Sequence, residues 1–354
     1  MALDPARAAA RRWNGPLPLV ARLNAGFVRN PKSWIAPQLD AGSLRSWTLD
    51  RGAIHDYQTL PGDSQRLALC ADRESSGMNS HRILLTGATG RLGSYVAREL
   101  ESRALETDYW SGSGAATPSG RPTNAVDLAD ESTVRLAFAE TRPEIVLHVG
   151  ALATAEACRA NPQRARRVNE QATGLLAELA QSAGARLVYT STDLVFDGEQ
   201  GNYRESDSPA PIMQYGQSKA AGEQRVLKRP LAVVVRLALL YGPKLGDRDS
   251  FFDLQLQAIA TRDRRMNLFI DEWRTPLDYV TAAQALVDIA LHNVTGILHV
   301  GGPERMSRFE MGIRLAERLG CREPPFDPVT RDAIPGSEPR PRDVSLDSSR
   351  WREL

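Results

Sequence analysis

The sequence predicts an α/β fold, a doubly wound parallel sheet with a smaller C-terminal lobe. Three observations predict it. Short apolar runs recur from residue 82 onward and alternate with segments of helical length, which is the pattern of βαβ units and of a parallel sheet covered on both faces. A glycine-spaced turn falls at the first strand-to-helix joint. After about residue 245 the alternation loosens, which marks the smaller lobe.

The elements follow in order. Arg82–Thr86 is a short apolar run suited to a buried parallel strand, and Arg91–Arg103 reads as the helix after it. Glu106–Ser111 forms a second strand, Asp130–Thr141 a helix and Glu144–Val149 a strand. Pro162–Ala183 reads as one long helix and Ala185–Thr190 as the next strand. Tyr215–Lys228 and Leu231–Leu240 complete the set as helix and strand. In the lobe, helices are expected at Phe251–Thr261, Thr281–His292 and Ser307–Leu319, with short strands near Asn267–Ile270 and Ile297–Val300. The expected division is therefore an N-terminal extension over 1–80, a dinucleotide-binding Rossmann domain over 81–244 and a substrate lobe over 245–354. The extension is rich in Arg, Ala, Pro and Ser, without sustained periodicity and with turn formers throughout, so weak order is expected there.

Composition removes several classes of function. The 44 basic residues are balanced by 43 acidic ones, which argues against a dedicated nucleic-acid binder. The most apolar stretch, Leu231–Tyr241, is short and interrupted by Arg236, whereas a membrane-spanning helix needs ~20 apolar residues. Cys70, Cys158 and Cys321 are odd in number and far apart, which points to a reducing cytoplasm. The histidines show no ligand spacing, so no metal is expected.

Thr86-Gly87-Ala88-Thr89-Gly90-Arg91-Leu92-Gly93 has GxxGxxG spacing at the strand–helix joint. Glycines there let the backbone turn tightly and approach a pyrophosphate, and the helix start offers free N–H groups and a positive dipole end. The second strand ends in Tyr109-Trp110-Ser111-Gly112, without the acid that commonly holds an NAD ribose, and Arg91 can reach a 2′-phosphate; NADP(H) is favoured over NAD(H). Tyr215 and Lys219 are four residues apart and share a helix face. A ketone accepting hydride needs a proton donor, and an ammonium lowers the pKa of a neighbouring phenol. Upstream, Thr190-Ser191-Thr192-Asp193 ends a strand, where a hydroxyl can meet the substrate oxygen or cap a turn.

Glycine turn, strand-end hydroxyl and YxxxK occur in the order found in the extended short-chain dehydrogenase/reductases. The stretch from Arg82 to Trp351 resembles that family, and within it the dTDP-4-dehydrorhamnose reductase branch. The supporting segments are TGATGRLG (86–93), VDLAD (126–130), YTSTDLVFDG (189–198), YGQSKAAGE (215–223) and RPRDVSLDSSR (340–350). The resemblance implies that Tyr215 is the proton donor, Lys219 its partner and Thr192 the group orienting the keto oxygen. It implies that Gly87, Thr89, Gly90, Arg91, Leu92, Gly93, Asp127, Leu128, Ala151 and Ala153 hold the cofactor with Tyr215 and Lys219, Asp127 facing the adenine. Asn169 would sit behind the active site. The implied substrate is a 4-keto sugar nucleotide, with Arg274, Arg340 and Arg342 as candidate diphosphate contacts. Leu194 stands where the branch commonly has tyrosine. The chain is also similar to the regulatory β subunit of methionine adenosyltransferase, through YRESDSPAP (203–211), RLALLYGP (236–243) and SRFEMGIRLAERLG (307–320). That resemblance implies a bound nucleotide without turnover and a partner enzyme, where the first implies an enzyme, and a homodimer fits either. A third reading is a sugar-nucleotide epimerase or dehydratase retaining NAD.

Overall fold

The computed structural model describes residues 81–246, 249–334 and 338–354, so the expectation for the N-terminal extension lies outside the described residues. In chain order the first half contains β1 (Ile83–Thr86), α1 (Arg91–Ser102), β2 (Thr107–Ser111), β3 (Asn124–Ala125), α2 (Glu131–Thr141) and β4 (Ile145–His148). Next come α3 (Ala155–Ala160), α4 (Pro162–Ala165), a π-helical turn (Arg166–Gln171), α5 (Ala172–Ser182), β5 (Arg186–Thr192) and a 3₁₀ turn (Asp193–Val195). Then follow α6 (Gln214–Val226), β6 (Ala232–Leu237), β7 (Leu240–Tyr241), α7 (Phe251–Thr261), β8 (Met266–Phe269), β9 (Trp273–Arg274) and β10 (Leu277–Asp278). The chain ends with α8 (Tyr279–Leu291), β11 (Gly296–Val300), β12 (Met306–Ser307), α9 (Arg308–Arg318), β13 (Phe326–Val329), a 3₁₀ turn (Arg331–Ala333) and α10 (Ser349–Arg352).

The strands β1, β4 and β6 are buried at every position. Burying each Val, Leu or Ile side chain contributes roughly 1.5–3 kcal/mol, which compensates for strands this short. Seven strands pair in the order β11-β6-β5-β4-β1-β2-β3, all parallel. Leu84, Val146, Leu187 and Val234 pack beneath α2 and α5 on one side of this sheet. α1 and α8 pair with each other on the sheet as well.

The chain runs outward from β1 to β3 and then returns to β4, so its direction reverses between β1 and β4. The carboxyl ends of strands at such a reversal form a ligand crevice. Thr86 and His148, the last residues of β1 and β4, are register partners there.

The helix starts are encoded locally. Asp130 accepts hydrogen bonds from the Ser132 and Thr133 amides, and Ser250 and Ser307 form capping boxes with Asp253 and Glu310.

Three expectations change. The segment Ile297–Val300 does not belong to the lobe: β11 joins the main sheet beside β6, with Ile297 opposite Val234. The helix expected over 162–183 is divided by the π-turn, which carries Asn169. The strand before Asp193 runs to Thr192 rather than stopping at Thr190, which places that threonine at the very end of β5. The lobe itself is built on three two-stranded pairings, β10 with β7, β12 with β9 and β13 with β8.

Candidate active site

The turn from β1 into α1 is packed on backbone. Gly87 has φ +72°, and a Cβ there would lie 2.6 Å from the Gly150 Cα. A Cβ on Gly93 would lie 1.9 Å from the Gly87 carbonyl oxygen. Only glycine satisfies both positions. Gly90 caps α1 without a side-chain acceptor, and the first turn of the helix carries no acid. Its leading N–H groups therefore face the crevice with a positive dipole end. Arg91 is exposed at this helix start, Thr89 and Leu92 are half-buried, and the Ala88 amide donates to the Trp110 carbonyl at 3.0 Å, holding the turn beside the end of β2. Ser111, which ends β2, shares a 2.8 Å hydrogen bond with Thr123.

Asp127, after β3, is exposed and bonds the Ala129 amide at 2.9 Å and Arg164 at 3.2 Å. A Cβ on Gly150 would meet Leu128 at 2.8 Å, so Leu128 already presses on the reversal point. Ala151 is half-buried and Ala153 exposed in the loop that follows. This loop is held by Asn169, whose Oδ1 accepts from the Leu152 amide at 2.8 Å and whose Nδ2 donates to the Leu152 carbonyl at 3.1 Å. The same Nδ2 reaches Ser218 Oγ on α6 at 2.9 Å. The π-turn that presents Asn169 is a form often found at functional sites.

Tyr215 at the start of α6 lies beside Thr192 at the end of β5, and Lys219 is one turn further along α6. Thr192 donates to Asp193 Oδ1 at 3.1 Å and accepts from the Leu194 amide at 3.2 Å, so it also caps the 3₁₀ turn. Burial raises the Tyr215 pKa, nearby Cys158 and Asp193 raise it further, and a hydrogen bond with Thr192 opposes them. Lys219 is buried, with Nζ 4.1 Å from the centre of the Tyr189 ring. Burial lowers the pKa of its ammonium to about 7, although Glu223 and Cys158 pull the other way. Lys219 is not among the groups that chiefly shift Tyr215, and its ammonium lies over the Tyr189 ring.

Behind α6, Arg236 and Glu223 form a fully buried ion pair at 2.7 Å, with Ser191 Oγ donating to the same carboxylate at 2.5 Å. Arg236 also donates to His299 Nε2 at 3.3 Å, and His299 Nδ1 donates to the Tyr203 carbonyl at 3.0 Å. A second ionic cluster lies toward the lobe. Glu272, wholly buried, meets Arg340 at 2.9 Å, Arg308 at 3.3 Å and Arg274 at 4.0 Å. Burial alone would raise its pKa, but Arg308, Arg274 and Arg340 together bring it below the usual carboxylate value. Arg274 also lies 3.5 Å from Asp193. These partners occupy two of the arginines expected at a diphosphate, Arg274 and Arg340, and the third, Arg342, donates to the Glu199 carbonyl at 3.0 Å.

The C-terminal segment closes over the site. Glu338 accepts from the Gln214 amide at the start of α6, 2.7 Å away. The Tyr203 amide donates to the Ser345 carbonyl at 2.8 Å, and the Asp343 amide to the Gly198 carbonyl at 3.0 Å. Sequence reading missed His148, Glu272 and Glu338, which bond Thr173, Arg340 and Gln214 across 25, 68 and 124 residues.

With this geometry, the family model of the RmlD substrate binding domain matches residues 81–354. The chain belongs to this family. RmlD-family membership places it among the oxidoreductases of the extended short-chain dehydrogenase/reductase type. The methionine adenosyltransferase 2 subunit beta of Bos taurus is 30% identical over 304 residues, 83% of this chain and 87% of that protein. A probable low-salt glycan biosynthesis reductase of Haloferax volcanii is 31% identical over 271 residues, 75% of this chain and 89% of that protein. Among solved structures, a hypothetical dTDP-4-dehydrorhamnose reductase from Sulfolobus tokodaii superposes with TM-score 0.68 at 29% identity, over 77% of this chain and 94% of that one. The UDP-glucose 4-epimerase of Thermus thermophilus, complexed with NAD, does so with TM-score 0.64 at 26% identity, over 77% and 92%. Among the described residues, no helix is long and apolar enough to cross a membrane.

Proposed function

We propose that the chain is an NADP(H)-dependent reductase of a 4-keto sugar nucleotide. The observation that carries this reading is Tyr215 at the start of α6 beside Thr192 at the end of β5, with Lys219 one turn further along the same helix, in a sheet whose first turn admits no side chain at Gly87 or Gly93. That turn and the start of α1 fit a dinucleotide pyrophosphate. A reduced nicotinamide, when bound, supplies hydride to the carbonyl carbon. Everything else falls to the chain. Tyr215 retains its proton in the neutral range because burial and the Asp193 carboxylate disfavour the phenolate. It can therefore deliver that proton as negative charge develops on the substrate oxygen. Thr192 donates a second hydrogen bond to the same oxygen once it turns from Asp193. Lys219, on the same helix as Tyr215, is held with its ammonium facing the Tyr189 ring. Arg91 at the start of α1, with no acid at the end of β2, favours a 2′-phosphate over a bare ribose.

A second reading is favoured by the subunit-beta relatives, which match over most of both chains. Under it the site holds a nucleotide without turning it over, and a partner enzyme is the target.

The test is oxidation of NADPH in the presence of a dTDP-4-keto-6-deoxy sugar, followed by absorbance. The expected result is sugar-dependent oxidation that Tyr215→Phe lowers about 10²–10⁴-fold, with NADPH affinity retained. Arg91→Ser should cost NADPH about tenfold relative to NADH in binding, the loss of one charge-assisted contact. NADPH binding without sugar-dependent oxidation would exclude this reductase reaction and leave the subunit reading, which co-purification of a partner enzyme then tests.

A further inference from the structure

His148 ends β4 at the reversal point, wholly buried, and touches neither Thr192 nor Tyr215 among its hydrogen bonds. Its ring lies between two hydroxyls. Nδ1 is 2.8 Å from Thr86 Oγ1, and Nε2 is 3.0 Å from Thr173 Oγ1 on α5. Thr173 Oγ1 lies 2.8 Å from the Asn169 carbonyl, to which it donates. Thr86 Oγ1 also accepts from the Gly150 amide at 3.1 Å.

Counting protons gives the chain a direction. Thr173 has one hydroxyl proton and gives it to Asn169, so it must accept from His148, and Nε2 carries the ring proton. Nδ1 then accepts from the Thr86 hydroxyl, whose oxygen in turn accepts from Gly150. The protons of His148, Thr86, Thr173 and the Gly150 amide are then all placed. The opposite polarity would bring two donors to Thr86 Oγ1 and leave its own proton without an acceptor among the described residues. The ring is neutral for the same reason that it is buried: desolvation, with Lys219 adding to it, lowers its pKa to about 3.

Both ends of this chain finish on one loop. One end is the Gly150 amide, beside Gly87 of the dinucleotide turn. The other is Asn169, whose side chain grips both backbone groups of Leu152. We propose that His148 is a positioning residue: as the Nε2-protonated tautomer it links the glycine turn to the π-turn and so sets the shape of the 150–153 loop that receives the nicotinamide dinucleotide. The proposal deepens the nucleotide reading above and rests on it, whether or not the bound nucleotide is turned over.

The experiment removes a link remote from the nucleotide. Thr173→Val keeps side-chain size but breaks the chain at Thr173. NADPH affinity is measured by fluorescence titration, and amide hydrogen exchange is followed at Gly150 and Leu152. The expected result is NADPH binding weakened about fivefold or more, within the usual range of coupling between sites, and at least tenfold faster exchange at Gly150. Thr173→Ser restores both. Thr86→Val weakens binding too, and the double variant is less weak than the product of the two single effects, since either substitution already breaks the same chain. Ring nitrogen shifts of His148 read the tautomer directly and should report a proton on Nε2 from pH 5 to 8. If Thr173→Val leaves affinity and Gly150 exchange at wild-type values in the folded protein, or the ring carries its proton on Nδ1, the proposal is overturned. If the wild-type chain binds no NADPH or NADH, the nucleotide reading fails and takes the loop's role with it, while the exchange and tautomer data still report whether the linkage exists.

Discussion

On the nucleotide side of the crevice, Thr86, His148, Thr173 and Asn169 are joined by neutral hydrogen bonds, and Gly87, Gly93 and Gly150 pack backbone on backbone. On the lobe side, Asp193, Glu272, Arg274, Arg308 and Arg340 meet as ions. The two arrangements solve different problems. A neutral network fixes direction and distance while adding no charge of its own, so the start of α1 remains the electropositive feature of that side. An ionic cluster buried in the lobe is favourable only when complete, because each unpaired charge left behind is costly. The nucleotide side should therefore fail through shape, and the lobe side through charge.

The largest effect expected from this contrast is at Gly93. Gly93→Ala puts a methyl 1.9 Å from the Gly87 carbonyl, and the turn must open. NADPH binding is expected to fall more than about 100-fold, as loss of a close backbone approach implies, with the lobe unaffected; calorimetric titration measures it. Retained affinity would mean that the turn does not touch the dinucleotide. Glu272→Gln comes next. It leaves three arginines facing one neutral amide and should cost about 3–5 kcal/mol of stability, read by urea unfolding, while NADPH affinity of the folded protein stays within about twofold. A collapse of affinity in that variant would erase the proposed separation of the two sides.

The smallest effect is pH dependence. Burial holds His148 near a pKa of about 3 and lowers that of His299 as well. An unfolded histidine takes up a proton below about pH 6.5, whereas folded His148 does not, and folded His299 does so less readily. Stability should therefore fall as pH drops from 6.5 toward 5, by roughly 1.4 kcal/mol per pH unit for each histidine at most. Lys219 acts in the same direction above neutrality, since its folded pKa of about 7 lies below the ordinary 10.5, so stability should rise between pH 7 and 9. Urea midpoints across this range, with His148→Asn beside the wild type, measure both. A profile that is flat from pH 5 to 6.5 would contradict neutral buried rings.

The legible parts of the site were those written in adjacent residues. The glycine turn needs eight consecutive positions, and Tyr215 with Lys219 needs only helical spacing. Thr192 was recognised as a strand-end hydroxyl, although β5 proved two residues longer than its apolar run suggested. What stayed hidden depends on the chain meeting itself. The π-turn at Arg166–Gln171 shifts the backbone hydrogen bonds by one residue, and no periodicity of side chains announces such a slip. Glu272 carries no local signal, because its partners Arg308 and Arg340 lie 36 and 68 residues away. β11 was visible as a strand, but local pattern does not say which sheet edge it will join.

The clasp of the C-terminal segment over the site also has a consequence in time. The start of α6 takes its carboxylate from Glu338, 124 residues later, and Asn202 takes the Ser345 hydroxyl, 143 residues later. Closing loops of that length is slow compared with forming a helix. During synthesis the segment bearing Tyr215 and Lys219 therefore exists long before its last supports are made. A nascent chain that has not yet reached Glu338 holds Tyr215 and Lys219 but not the contact that fixes the start of their helix, so that frame is completed only once residues 338–345 have been made.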